Sequence, residues 1–134
     1  MRLALRIVAV ALVCALAGCG TSDRQLVRAK VEQFARAAAT KDYKTICDQV
    51  LAPSLLAHLV AGGIQCEQAM QIGLGKVRDP TLAIGRITVS GSHATVLAIS
   101  SAYGQQASLE SILLIKTGAG WRINSLGSPV LNGR

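Results

Sequence analysis

The sequence predicts an α+β domain in which N-terminal helices pack on a four-stranded antiparallel sheet. Three observations carry this prediction. Apolar residues recur every three or four positions between residues 23 and 74, which is typical of helices with one buried face. From Leu82 onward the apolar period changes to two, and short glycine-bearing segments divide that region into four runs. Helices followed by strands, rather than helices alternating with strands, indicate the α+β class.

The first 18 residues, MRLALRIVAVALVCALAG, have the layout of a secretory signal peptide. Arg2 and Arg6 give a basic start, residues 7–16 are continuously apolar, and small residues follow. A membrane-spanning helix needs about 20 apolar residues, and this run ends too early. We therefore expect residues 1–18 to direct export from the cytoplasm.

The stretch LAGC at residues 16–19 resembles the lipobox of bacterial lipoproteins. The resemblance implies that Cys19 carries diacylglycerol and palmitate and is the first residue of the mature chain. Two acyl chains are enough for lasting membrane attachment, whereas one is not. The alternative is an ordinary signal peptide with a chance cysteine. The organisation that we expect is a signal peptide at 1–18, a lipidated tether at 19–22, a folded domain at 23–128 and a tail at 129–134.

The charge of the chain favours an anionic envelope surface as its neighbour. Fourteen basic residues stand against seven acidic ones. Loss of Arg2 and Arg6 with the signal peptide leaves twelve, so the mature chain carries a formal charge of +5. A basic excess can indicate nucleic-acid binding, but export argues against that partner. We expect membrane attachment through Cys19 and no nucleic-acid partner.

Two cysteines remain in the predicted folded domain. Cys14 lies within the signal core and Cys19 takes the lipid, which leaves Cys47 and Cys66. In an oxidising compartment an even pair most often forms a disulfide. A zinc site with His58 is one alternative, although it is one ligand short of a closed site. Two free buried thiols are the other.

The helical half begins with a capping box. Ser22 and Gln25 fit the S-x-x-Q pattern that satisfies free amides at a helix start. The helix should run from Asp23 to about Thr40, with a buried stripe at Val27, Val31, Phe34 and Ala38. The opposite side carries charges spaced four apart, which are typical of a solvated face. These are Arg24, Arg28, Glu32 and Arg36.

Three shorter helical pieces should follow. One runs through Ile46, Cys47 and Val50, after the step Lys41-Asp42-Tyr43. The next starts at Pro53, which suits a first helical turn, and stops at Gly62-Gly63. The last runs from Cys66 to about Leu74.

Four strands complete the chain. We expect them at residues 82–89, 94–102, 109–116 and 121–126. The turns between them should lie at residues 90–92, 104–106 and 117–120. Such short connections predict an antiparallel meander, in which each strand pairs with the next.

This order of elements resembles the nuclear transport factor 2-like superfamily, in the small lipoprotein form found in bacteria. The features that show this resemblance are the N-terminal helix, the tripeptide KDY at residues 41–43, the segment APSLLAHL, the second cysteine and the ending GAGWRINSL. The resemblance covers roughly residues 23–128. It implies a curved sheet wrapped around the helices as a cone, with an apolar pocket at the open end. It also implies a bond between Cys47 and Cys66 that ties the second and third helical pieces.

The residues offer no complete catalytic set. Enzymes of this fold, such as the ketosteroid isomerases, resemble one another in having an aspartate base and an oxyanion site made of a tyrosine and an acid. The acid of that site must be buried for its pKa to be shifted. Here the strands contain a single carboxylate, Glu110. No nucleophile–base pair, phosphate loop or metal motif is present in the sequence. We expect no catalytic residue, no metal and no cofactor.

Four side chains are candidates for lining the pocket that the resemblance implies: Tyr43, His58, Tyr103 and Trp121. For Tyr103 and Trp121 the alternative is core packing, and for His58 it is a surface position. The predicted function is a membrane-anchored, extracytoplasmic module that binds a small apolar ligand or an envelope protein, or that acts as a scaffold. The alternative is an isomerase- or dehydratase-like enzyme that uses the pocket.

Overall fold

The computed structural model describes residues 21–129, and it has the α+β order that the sequence predicts. The helices are α1 (Asp23–Ala39), α2 (Tyr43–Thr45), a π-helical segment (Ile46–Val50), α3 (Pro53–Ala61) and α4 (Cys66–Leu74). The strands are β1 (Thr81–Ser90), β2 (His93–Ala102), β3 (Gln105–Thr117) and β4 (Gly120–Pro129). The predicted signal peptide, the lipid site at Cys19 and residues 130–134 of the predicted tail lie outside the described residues.

The capping box at the start of α1 forms as predicted. Ser22 Oγ accepts from the backbone N–H of Gln25 at 3.2 Å, and the Ser22 N–H donates to Gln25 Oε1 at 3.1 Å. Val27 and Val31 are fully buried on the side that faces the sheet. The predicted apolar stripe is therefore the packed face of α1.

A tight step leads from α1 into α2. Lys41 adopts a left-handed backbone, with φ of 55°. Asp42 then caps α2, since its carboxylate accepts from the Thr45 hydroxyl at 2.7 Å and from the Thr45 N–H at 3.1 Å. These hydrogen bonds stabilise the charged form and lower the pKa of Asp42. The KDY segment is thus a turn in which Asp42 caps the start of α2.

The second helical piece is wider than the sequence predicts. Residues 46–50 form a π-helical turn, which ends with the Leu51 N–H donating to the Ile46 carbonyl at 2.9 Å. A wider turn holds one more residue than an α-turn. It places Ile46, Cys47 and Val50 in the core together. Ordinary helical spacing does not signal such a turn, which is why the pattern predicted a plain helix.

The two cysteines of the folded domain form a disulfide. Cys47 and Cys66 are bonded, with their Cα atoms 5.9 Å apart. The bond joins the π-helical segment to the first residue of α4, so it reaches the fourth helical piece and not the third, which the resemblance implied. Because each sulfur is bonded to the other, neither the zinc site nor the pair of free thiols describes this structure.

The sheet is an open antiparallel meander in the order β1-β2-β3-β4. Strand β3 begins at Gln105, four residues before the predicted Leu109. The reason is the turn, which needs only Tyr103 and Gly104 because Gly104 takes a positive φ of 74°. The predicted turn at residues 104–106 is therefore one residue late and too long.

Bulges interrupt the ladders at both outer strands. In β1 the register shifts between Ile84 and Ile87, so that Gly85 and Arg86 together oppose Leu97. In β4 one register shift lies between Leu126 and Pro129 and includes Gly127, whose φ is 39°, and a second lies between Ile123 and Ser125. Bulges bend a strand locally and increase its twist.

The core lies between α1, the π-helical segment and one face of the sheet. Large side chains from the helices and from the sheet are fully buried in this core. Burial of each of these side chains stabilises the fold by roughly 1.5–3 kcal/mol. They are Val27, Val31, Ile46, Val50, Leu51, Val96, Leu114 and Ile123. The segment after the π-helical turn also docks on β4, where the Ala52 N–H donates to the Ile123 carbonyl at 2.8 Å.

Candidate binding cavity

The inward face of β2 and β3 changes character along its length. Near one end, inward positions pair Val96 with Ile112, and both are buried. Toward the other end, Ala98 pairs with Glu110 and Ser100 with Ser108. Since alternate residues of a strand share a face, these polar residues continue the line of the core. The core therefore gives way to a polar surface on the same face.

A cavity of about 270 Å³ lies over this polar surface. One wall, which is formed by α1, the end of α4, the segment after it and Leu82 of β1, is apolar. The other wall is formed by β2, β3 and Thr81 of β1, and it is mostly polar. The apolar wall consists of Phe34, Ala35, Ala38, Leu74, Val77, Pro80 and Leu82. The remaining lining residues are Thr81, Ser100, Ser101, Ala102, Gln105, Gln106, Ser108 and Glu110. The cavity is amphipathic, with one side suited to hydrocarbon and the other to hydrogen bonding.

Within the part of the chain that the structure describes, Glu110 is the only charged side chain that lines the cavity. Ser100 Oγ donates to Glu110 Oε1 at 3.1 Å. The other oxygen, Oε2, approaches β4 at Gly127, where a Cβ atom would lie 3.1 Å from it and 3.0 Å from the Ser111 carbonyl. The absence of a side chain at Gly127 leaves room for this carboxylate.

The wall between α4 and β1 is held by two basic residues that lie outside the lining. Lys41 Nζ donates to the carbonyls of Leu74, Gly75 and Val77, at 3.1, 2.6 and 3.2 Å. The Arg78 guanidinium stacks over the Tyr103 ring, with 4.5 Å between Cζ and the ring centroid. Both contacts hold the segment after α4 against its neighbours.

None of the four predicted lining residues lines this cavity. His58 is exposed on α3, because the turn that follows Pro53 directs Leu55 and Leu56 toward the core instead. Tyr103 is 66% exposed, because it is the first residue of the two-residue turn. Tyr43 is half-buried and packs against the core. The lining thus corrects the sequence-based expectation.

Trp121 belongs to the core, which was the alternative for this residue. Its side chain is 2% exposed, and its Nε1–H donates to Asp23 Oδ1 at 2.9 Å. Lys116 Nζ donates to the same oxygen at 3.0 Å. The hydrogen bond from Trp121, followed by that from Lys116, lowers the pKa of Asp23. This Asp23–Lys116–Trp121 cluster ties the first turn of α1 to the hairpin of β3 and β4.

A second, more open recess of about 410 Å³ lies beside this cluster. Trp121 forms part of its wall, together with Leu26 and Lys30. Lys30 Nζ donates to Gln33 Oε1 at 2.8 Å and to the Gln49 carbonyl at 2.9 Å. Burial, and then the charge of Arg122, lower the pKa of Lys30. The polar groups of Lys30 are thus engaged within the protein.

Within residues 21–129, no three His, Cys, Asp or Glu side chains come together in a group that would hold a metal ion. Over the same residues, no helix is both long and apolar enough to cross a bilayer.

The comparisons with known proteins give one likeness in fold. No protein-family model matches the chain, and no curated protein matches it. The fold is similar to the crystal structure of the Kfla4162 protein from Kribbella flavida, with a TM-score of 0.57 and 16% sequence identity. That match covers 81% of this chain and 91% of the other. At this identity the likeness concerns the fold alone.

Proposed function

We propose that this protein is a membrane-anchored cell-envelope lipoprotein whose extracytoplasmic domain binds a small ligand without catalysis. In this proposal the domain is a nuclear transport factor 2-like cone, and the cavity above Glu110 is the pocket at its open end. The order of helices and strands and the bulged outer strands support the cone. The lipobox-like LAGC at residues 16–19 supports the anchor.

The cavity is the observation that carries the binding proposal. Its volume of about 270 Å³ is close to the lower end of the range of ~300–1,000 Å³ that is usual for ligand pockets. An apolar wall with a few converging polar groups is also typical of such pockets. A pure scaffold has no need for a polar surface at this point, where continued core packing is more stable.

The anchor sets how the domain meets the membrane. The tether at residues 19–22 spans only ~10–14 Å when extended, so the domain would sit close to the lipid surface. Arg24 and Arg28 are exposed in the first turns of α1. Anionic headgroups attract basic residues by about 1 kcal/mol each within a Debye length. The start of α1 would then face the bilayer.

Native mass spectrometry of the protein released from its own membranes tests ligand binding. We expect a small molecule to co-purify and to be displaced when the cavity is filled by Ala38→Phe. A matched change outside the cavity, Ala57→Phe on exposed α3, should retain it. A ligand-free spectrum that stays unchanged after exposure to small-molecule probes would contradict the proposal.

Cell fractionation tests the anchor separately. Cys19→Ala should release the protein or leave it unprocessed, because the acceptor thiol is gone. Cys14→Ala is the matched control, since Cys14 lies within the predicted signal core and should not affect attachment. Membrane-bound Cys19→Ala protein of wild-type mature size would refute the lipobox interpretation.

An isomerase- or dehydratase-like enzyme is the alternative function, and one observation favours it. Glu110 faces the cavity, where a base of such an enzyme would lie. Against it, the described lining contains no second acid and no tyrosine to stabilise an oxyanion. Exchange of an α-proton of a bound ketone for deuterium, lost in Glu110→Gln, would support the enzyme over the binding module.

A further inference from the structure

We propose that the ligand of the cavity is a small amine with a hydrocarbon body, and that Glu110 is the counter-ion of its ammonium group. This inference rests on the proposed binding function and names the chemical class of the ligand. It is carried by the placement of one carboxylate opposite an apolar wall.

The carboxylate of Glu110 lacks a cationic partner among residues 21–129. The ion pairs of that part of the chain join Lys44 to Asp48 and Lys116 to Asp23. Among the described residues, no lysine, arginine or histidine lines the cavity. The charge of this lining is therefore that of the Glu110 carboxylate.

The hydrogen-bonding capacity of Glu110 is only partly used. An ionised carboxylate accepts at about four lone-pair positions. Ser100 supplies a donor to Oε1. Glu110 is also half-buried, so water replaces the missing donors less completely than at the surface. A donor from a ligand would fill this capacity.

An ammonium group matches this site better than other donors do. Hydrogen bonds in which one partner is ionised are roughly twice as strong as neutral ones, and an ammonium group adds the Coulomb attraction between two opposite charges. A ligand carboxylate or phosphate would be repelled by Glu110 at short range. A neutral hydroxyl would donate a hydrogen bond to the Glu110 carboxylate but would lack the Coulomb attraction between opposite charges. The site therefore selects a cation over an anion or a neutral ligand of the same shape.

The wall opposite Glu110 determines the rest of the ligand. Phe34, Leu74 and Val77 are part of that wall, and a hydrocarbon body packed there would leave water. Gln105 and Gln106 also line the cavity and offer amide groups to a further polar substituent. The expected ligand has its nitrogen toward the sheet and its hydrocarbon toward α1 and the segment after α4.

Isothermal titration of the full chain in neutral detergent with three probes of nearly the same shape tests the inference. The probes are cyclohexylamine, cyclohexanol and cyclohexanecarboxylate. We expect the amine to bind about tenfold or more tightly than the alcohol, because only the amine gains the Coulomb attraction to the Glu110 carboxylate. The carboxylate should bind more weakly than the alcohol. Added salt should weaken only the binding of the amine.

Three substitutions test whether the preference for the amine over the alcohol depends on Glu110. Glu110→Gln should make the affinities for amine and alcohol equal within about threefold, whereas Glu110→Asp should retain a preference for the amine. Glu67→Gln on exposed α4 removes a carboxylate outside the cavity and should leave the preference unchanged. Melting temperatures of all four proteins verify that each is folded.

The outcomes separate the two levels of the proposal. Equal binding of amine and alcohol by the wild type, or an amine preference that survives Glu110→Gln, overturns the amine inference and leaves a binding cavity. Tighter binding of the carboxylate overturns it as well. Absence of binding by all three probes, together with ligand-free native spectra, overturns the binding function itself.

Discussion

The two ends of the helix–sheet layer differ although the same strands build them. At the closed end, Val27, Val31 and Ile123 are fully buried and the space between helix and sheet is filled. At the open end, Phe34 faces Ser100 and Glu110 across a cavity. Strands β2 and β3 run through both ends and keep one register from the pair His93–Ile115 to the pair Ser100–Ser108. The difference therefore comes from side chains and not from backbone topology.

In the proposed function, this comparison separates the part of the sheet that stabilises the fold from the part that binds a ligand. Aliphatic residues at inward positions are replaced by serine and glutamate within about two strand positions, from Ile112 to Glu110 and Ser108. Each replacement forgoes apolar burial, which is worth about 25 cal/mol per Å² of surface. The apolar burial at the closed end stabilises the fold enough for the cavity at the open end to remain unfilled. Predictions that alter one end at a time test this division.

The largest effect is expected at the closed end. Ile123→Ala removes a fully buried side chain and should lower the free energy of unfolding by roughly 2–5 kcal/mol, through lost burial and a residual cavity. Ile99→Ala, where the isoleucine is 50% exposed, is the control and should cost far less. Urea denaturation measures both. Equal costs would mean that the buried end is not where stability resides.

The disulfide should have the next largest effect. It bridges residues 19 apart, and the chain-entropy model assigns ~3 kcal/mol to a loop of that size. The double variant Cys47→Ala/Cys66→Ala should lose about that much stability, and reduction of the wild type should have the same effect. Alkylation of the unfolded, unreduced chain should label neither cysteine. Labelling of both would exclude the bond in the cellular protein.

Filling the open end should give a smaller change of opposite sign. Glu110→Leu continues the apolar line of Ile112 and removes a half-buried carboxylate. We expect the free energy of unfolding to rise by about 1 kcal/mol, while amine binding is lost. Glu67→Leu on the surface should change stability by less than about 0.5 kcal/mol. A marked loss of stability in Glu110→Leu would show that the carboxylate supports the sheet, contrary to the division of roles.

The smallest effect concerns the tie between α1 and the hairpin at the closed end. Because the pKa of Asp23 is lowered in the folded state, its contribution is complete above the ordinary value of 3.8 and is lost as the pH falls through the folded-state pKa. Asp23→Asn should therefore destabilise the protein slightly at pH 6 and not at all in strong acid. The pair is exposed, so the difference is small. A deficit that grew on acidification would contradict the hydrogen bonding to Trp121 and Lys116.

Local signals in the sequence were enough for the order and type of the elements. The Ser22–Gln25 capping box, Pro53 and Gly62 mark helix ends through chemistry that depends only on neighbouring residues. The meander follows from alternation and short turns. The π-helical turn was missed because tertiary packing of Ile46 and Val50, rather than local preference, determines it. The start of β3 was missed because three of the residues 105–108 are polar and the segment carries no apolar alternation.

The cavity was harder to predict than the fold. Aromatic residues were expected in the pocket, yet Tyr103 lies in a turn and Trp121 is bound to Asp23. The informative signal was the polar residues at alternate positions of β2 and β3, at Ser100, Ser108 and Glu110. The alternation of polar and apolar residues along a strand does not by itself indicate which face is inward, because bulges shift the register. The pairing of Ser100 with Ser108 needed the structure.

The bulge in β1 has a consequence for how copies of this protein meet one another. Strand β1 is an outer strand of the sheet, and a continuous outer strand is a template for aggregation through the backbone of another chain. Glycine suits position 85, because a Cβ atom there would lie 3.0 Å from the Leu97 carbonyl, which is a tight contact. The interruption breaks the regular spacing of hydrogen-bonding groups, and the charge of the exposed Arg86 lies at the same point. Crowded copies of this protein would thus be kept from joining their sheets into a common ribbon.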